Sequence, residues 1–76
     1  MFQVLIEDAY DHSNIVDEFE TLEEARKCYD KCLSDGPDGY DLSIELEEII
    51  DEGNDYKTIE YHEWFTQEEW DEAHDV

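Results

Sequence analysis

The chain has 76 residues, room for one domain and one core, and a fold this small buries only about 60% of the surface its unfolded chain exposes. Twenty-five Asp and Glu stand against four Lys and Arg, a formal net charge of -21, which excludes direct binding to nucleic acid or to an anionic membrane. Yet 39% of the residues are hydrophobic, with two Trp, five Tyr and three Phe, more burial material than a disordered acidic tail carries.

Residues 2–8, FQVLIED, alternate as a strand with Phe2, Val4 and Ile6 on one face and Gln3, Leu5 and Glu7 on the other. Asp11, His12, Ser13 and Asn14 form a turn cluster, and NIVDEFE returns as a second strand, so residues 2–20 read as an antiparallel hairpin. Simple alternation puts Ile15 and Phe19 on one face of that strand and Val16 on the other.

Thr21 followed by Glu24 is a capping box that opens a helix over 22–35. Leu22, Ala25, Tyr29, Cys32 and Leu33 recur on one face, and the helix stops at Gly36, with Pro37 barring continuation. Asp38 and Gly39 then turn the chain into YDLSIELE, where Tyr40, Leu42, Ile44 and Leu46 alternate with Asp41, Ser43, Glu45 and Glu47. DEGND at 51–55 makes a turn, and YKTIEYHEW returns as a fourth strand. Thr66 and Glu69 repeat the capping box, with Phe65 and Trp70 at the spacing of a hydrophobic staple, opening a short C-terminal helix. These elements fit a single α+β domain over residues 1–76. Its expected form is a ββαββ order, a four-stranded antiparallel sheet with one main helix on one face and a short helix at the end.

The charge is regional. Arg26, Lys27 and Lys31 lie in the first helix beside Glu23, Glu24 and Asp30, whereas Asp41 to Val76 carries fourteen acids and one base, Lys57. Alternate strand residues stand about 6.8 Å apart. Asp41, Glu45 and Glu47, with Glu60 across the hairpin, therefore form an expected row of anions on the scale of a nucleic-acid backbone. Tyr56, Tyr61, Trp64 and Trp70 at its margin are candidate anchors.

Catalytic and metal constellations are missing from the sequence. His12, His62 and His74 have no close ligand spacing, the three glycines sit in turns, and Cys28 and Cys32 are four apart rather than in a C-x-x-C pair. The loops at 35–41 and 51–55 do not match a twelve-residue calcium loop. No enzyme activity, cofactor or dedicated metal site is expected. The opening MFQVLIED has neither a basic stretch nor a long apolar run, so a cytoplasmic protein with no membrane association is expected.

In small size, hairpin–helix–hairpin pattern and the acidic run DLSIELEEIIDEGNDYKTIEYHEW, the chain resembles small acidic inhibitors of phages and mobile elements, the DNA-mimic anti-restriction and anti-CRISPR proteins. It is similar also to acidic immunity proteins that block nuclease toxins. The likeness is one of character without an alignable motif, so it transfers no residue. It implies a binding protein that occupies the basic nucleic-acid site of a target protein. The residues expected to meet that partner are Asp41, Glu45, Glu47, Glu48, Asp51, Glu52, Asp55, Glu60, Glu63 and Trp64. Two other readings stay open: an ordinary acidic or salt-adapted domain serving assembly, and a homodimer whose seam is Trp64 and Trp70.

Overall fold

A single carboxylate closes the first hairpin. Asp8 accepts the backbone N–H of Tyr10 (2.8 Å) and of His12 (3.1 Å) and the Asn14 side-chain amide (3.3 Å), an Asx-type turn that holds Asp11 at a left-handed φ of 61°. Desolvation pushes the Asp8 carboxyl up, but these donors together outweigh it, and its pKa lies below the ordinary value.

The computed structural model describes residues 1–74. The turn joins β1 (Phe2–Asp8) to β2 (Ser13–Phe19); α1 (Leu22–Asp35), β3 (Asp41–Ile50), β4 (Asp55–Glu63) and α2 (Gln67–His74) follow. The strands form one antiparallel sheet in the order β2-β1-β3-β4, so β1 and β3 are central and β2 and β4 are edges.

Both helix caps form, the second as a full capping box. Thr21 Oγ1 accepts the Glu24 N–H and donates to the Glu24 carboxylate; Thr66 Oγ1 accepts the Glu69 N–H while the Thr66 N–H donates to Glu69 Oε1. At the far end of α1, Gly36 takes φ 80° and its N–H donates to the Cys32 carbonyl.

The helix lies across one face of the sheet. Val4, Ile44 and Leu46 are fully buried there against Ala25 and Tyr29, with Phe2, Ile6, Leu22, Cys28, Cys32, Leu33 and Ile59 packed around them. Burial of each large aliphatic side chain contributes roughly 1.5–3 kcal/mol. Among the described residues no helix packs on the other face.

Two of the three register shifts in the sheet decide what faces where on its edge strands. In β2 the register shifts between Asp17 and Ile15, with Val16 the extra residue, so Phe19 opposes Phe2 on the α1 side while Ile15 opposes Leu5 on the open side. The expectation that Ile15 and Phe19 share a face is thus corrected. In β4 the shift between Glu60 and Thr58 makes Ile59 the extra residue and turns Glu60 toward α1, where it meets Arg26 at 2.9 Å.

The β3–β4 turn is strained. Asp51, Glu52 and Gly53 all adopt positive φ, at 53°, 56° and 95°, and only glycine does so without a Cβ penalty. Glu52→Gly is therefore expected to raise stability by about 1 kcal/mol, read as a higher urea midpoint at unchanged m-value. No change, or a loss, would show that the turn is relaxed.

α2 docks at one end of the sheet through aromatic rings. Trp70 is buried against Tyr10 and Tyr40, with centroid separations of 6.0 and 5.7 Å, Tyr10 and Tyr40 meet edge-on at 4.9 Å, and His74 stacks on the indole at 4.1 Å. Trp64 is half-buried and packs against the main core. Neither tryptophan is the exposed anchor that the sequence suggested, so they do not form a ready seam between two copies.

Candidate functional site

The uncovered sheet face follows from the registers. Reading across β2, β1, β3 and β4, one row is Ile15, Leu5, Glu45 and Tyr61; the row beside it is Glu18, Gln3, Glu47 and Thr58; on the other side lie Ser13, Glu7, Ser43 and Glu63. Five carboxylates, Glu7, Glu18, Glu45, Glu47 and Glu63, thus share this face. Among the described residues no Lys or Arg does. Arg26, Lys27 and Lys31 belong to α1, and Lys57 lies in the row of Glu48 and Phe2 on the α1 side.

The expected partner residues separate accordingly. Glu45, Glu47 and Glu63 belong to the open face. Glu60 is paired with Arg26 on the opposite side, and Glu48 stands opposite Lys57 there, so neither extends the row. The Asp41 carboxylate accepts the Asp38 N–H at 3.1 Å and serves the turn before β3. Asp51, Glu52 and Asp55 ring the β3–β4 turn at the far end, Asp55 accepting the Tyr56 N–H at 2.9 Å.

The face has a polar floor set between its carboxylates. Gln3 and Ser43 are buried, as is Leu5, although they lie on the face opposite α1. Gln3 Nε2 donates to Glu47 Oε1 at 2.8 Å, and Thr58 Oγ1 donates to Glu45 Oε1 at 3.3 Å. Tyr61 donates to Glu63 at 3.4 Å. Ile15, Tyr56 and Tyr61 are each more than half exposed. A cleft of about 380 Å³ opens toward the α2 end, between Glu7, Ser13, Ser43, Tyr61, Glu63 and Phe65. Among the described residues no group of three or more His, Cys, Asp or Glu side chains is arranged to hold a metal ion.

Crowding changes the chemistry of Glu45. Desolvation beside Leu5, then the hydrogen bond and the charge of Glu47, push its pKa up to about 7 from 4.5, against the opposing Thr58 hydrogen bond and with help from Glu7. Because the folded protein holds this proton more tightly than the unfolded chain does, the contribution of Glu45 to stability falls as pH rises from about 4.5 through about 7. Glu45→Gln should therefore raise the unfolding midpoint at pH 8 by several degrees and leave it unchanged near pH 4. Glu23→Gln, on exposed α1, is the control; equal gains from the two at pH 8 would mean that only net charge matters.

The thiols are positioned for packing. Cys28 and Cys32 are free and half-buried on α1, and burial, followed by the adjacent Cys32, pushes the Cys28 thiol up to about 11, away from the thiolate that reactivity requires. Among the described residues no helix is long and apolar enough to cross a membrane.

Comparison with known proteins adds no relative: no family model, curated protein or solved structure matches this chain.

Proposed function

We propose that this is a non-enzymatic binding protein of the cytoplasm that lays its uncovered sheet face on the basic nucleic-acid-binding surface of another protein and excludes the natural ligand. The observation that carries the reading is the one-sidedness of the charge: five carboxylates share the open face, and all four Lys and Arg lie elsewhere. A strand-mounted carboxylate array meets a surface built from Lys and Arg by the same electrostatics that draws such a surface to phosphates. Tyr56, Tyr61 and Ile15 supply exposed apolar contacts amid the acids.

The test is competition. The immobilised protein is incubated with host lysate at low salt, retained proteins are identified by mass spectrometry, and the loaded resin is challenged with duplex DNA, single-stranded DNA and RNA. A retained nucleic-acid-binding protein released by one of these polymers, and by rising salt, is the expected result. A retained protein indifferent to all three would overturn the mimic reading in favour of an assembly role.

A further inference from the structure

β4 (Asp55–Glu63) is an edge of the sheet, paired to β3 along one side. Along the other side its backbone N–H and C=O groups meet no strand among the described residues, which makes that side a template for one more. The bulge at Ile59 fixes what such a strand would lie beside. Tyr56, Thr58, Tyr61 and Glu63 follow one another on the open face, and both tyrosines are more than half exposed. Glu45 stands across from Tyr61, and at the α2 end the cleft of about 380 Å³ opens between Ser43, Tyr61, Glu63 and Phe65. On the α1 side the same strand offers Lys57 and Glu60, whose carboxylate Arg26 already holds. β2, the opposite edge, brings Ser13, Ile15 and Glu18 to the open face and no aromatic ring.

Charge decides the occupant. A second copy would set two chains of net charge -21 side by side, a repulsion that keeps like edges apart. We infer that the occupant is an extended Lys- or Arg-rich segment of a partner protein, which adds to β4 as a fifth strand with alternate basic side chains over the open face. The inference rests on the docking proposed above and specifies its mode. Neighbouring strands stand about 4.8 Å apart, within reach of an arginine side chain. An arginine across from Tyr61 therefore lays its guanidinium on the phenol ring, near Glu45 and Glu63. One across from Tyr56 repeats the ring contact at the other end of the strand. Main-chain hydrogen bonds supply affinity, and the alternation of basic side chains supplies register.

The experiment uses the full chain and a peptide as long as β4 that alternates Arg with Thr. A second peptide of the same sequence is N-methylated at every amide, so it keeps the charge but cannot donate from its backbone. Backbone amide shifts and amide hydrogen exchange at low salt locate each peptide and give its affinity. The ordinary peptide is expected to shift β4 and to slow exchange of its outward amides, and the N-methylated one to bind at least about tenfold more weakly. If both bind equally and the shifts centre on Gln3, Leu5 and Glu45 in the middle of the sheet, strand addition is overturned and the docking face stands. Slowed exchange on β2 instead would overturn the assignment to β4. If the ordinary peptide does not bind, or its shifts fall on α1, the docking face itself is overturned, and this inference with it.

Discussion

Leu46→Ala is expected to cost about 3–5 kcal/mol, the range for truncating a fully buried leucine whose site cannot collapse. Leu46 lies at zero exposure in the centre of β3, between Val4 on β1 and Glu60 on β4, with α1 packed over it. A domain of this size has stability at the low end of the 5–15 kcal/mol typical of folded proteins. Loss of that leucine should therefore abolish the cooperative urea transition, or bring it below about 1 M, as followed by far-UV circular dichroism. Leu46→Met, which nearly conserves volume, should cost under about 1.5 kcal/mol, and Ile15→Ala, on the open face, within about 0.5 kcal/mol. Comparable losses from Leu46→Ala and Ile15→Ala would mean that the core does not lie under α1.

Reversing the charge at Glu45, Glu47 and Glu63 together is expected to weaken binding to the captured partner by at least about a thousandfold at low salt, some tenfold per reversed charge. Reversing Glu23 and Glu24, which sit on α1 behind the sheet, should change it by less than about tenfold. The difference should shrink as salt rises toward 0.5 M, because screening weakens both the attraction and its reversal. Glu60 is left out of the set because its carboxylate is already paired with Arg26. Reversal there would change how α1 sits on the sheet as well as the surface charge. Equal losses from the front and back sets would show that net charge, rather than the open face, governs association.

Much of the architecture was legible where a local device determines it. The helix at Leu22–Asp35 was readable from Thr21, Glu24 and Gly36 because a cap and a left-handed stop act within a few residues. β3 was readable because its alternation is unbroken from Leu42 to Glu47. What escaped was set by single extra residues and by distant partners. Val16 and Ile59 look like ordinary strand residues, yet as bulges they move Ile15 to the open face and Glu60 to the α1 side. Arg26 and Glu60 are 34 positions apart, so no spacing rule brings them together. The site was therefore half legible. Glu45 and Glu47 follow from alternation, Glu63 reaches the open face only through the bulge at Ile59, Glu48 and Glu60 fall on the α1 side of the sheet, and Glu7 and Glu18 enter only through a pairing of the two hairpins that alternation cannot foresee. Trp70 was recognisable as a staple residue, but its seat between Tyr10 and Tyr40 depends on two turns meeting at one end of the sheet.

The strand order carries one more consequence, which concerns how the chain is made. β1 leaves the ribosome before the other strands of this sheet and ends up in its middle, with β3 as its inner neighbour. Until residue 50 has emerged, the nascent hairpin exposes the edge of β1 that β3 will cover, and Val4 has no Leu46 to meet. Neither half is then a folding unit: the first hairpin and helix lack the strand that completes their core, and the second hairpin lacks the surface that would hold its repelling carboxylates in place. Folding waits for a contact more than 40 residues apart in sequence, a topology that is slower than a helical bundle of equal length and cannot proceed one hairpin at a time.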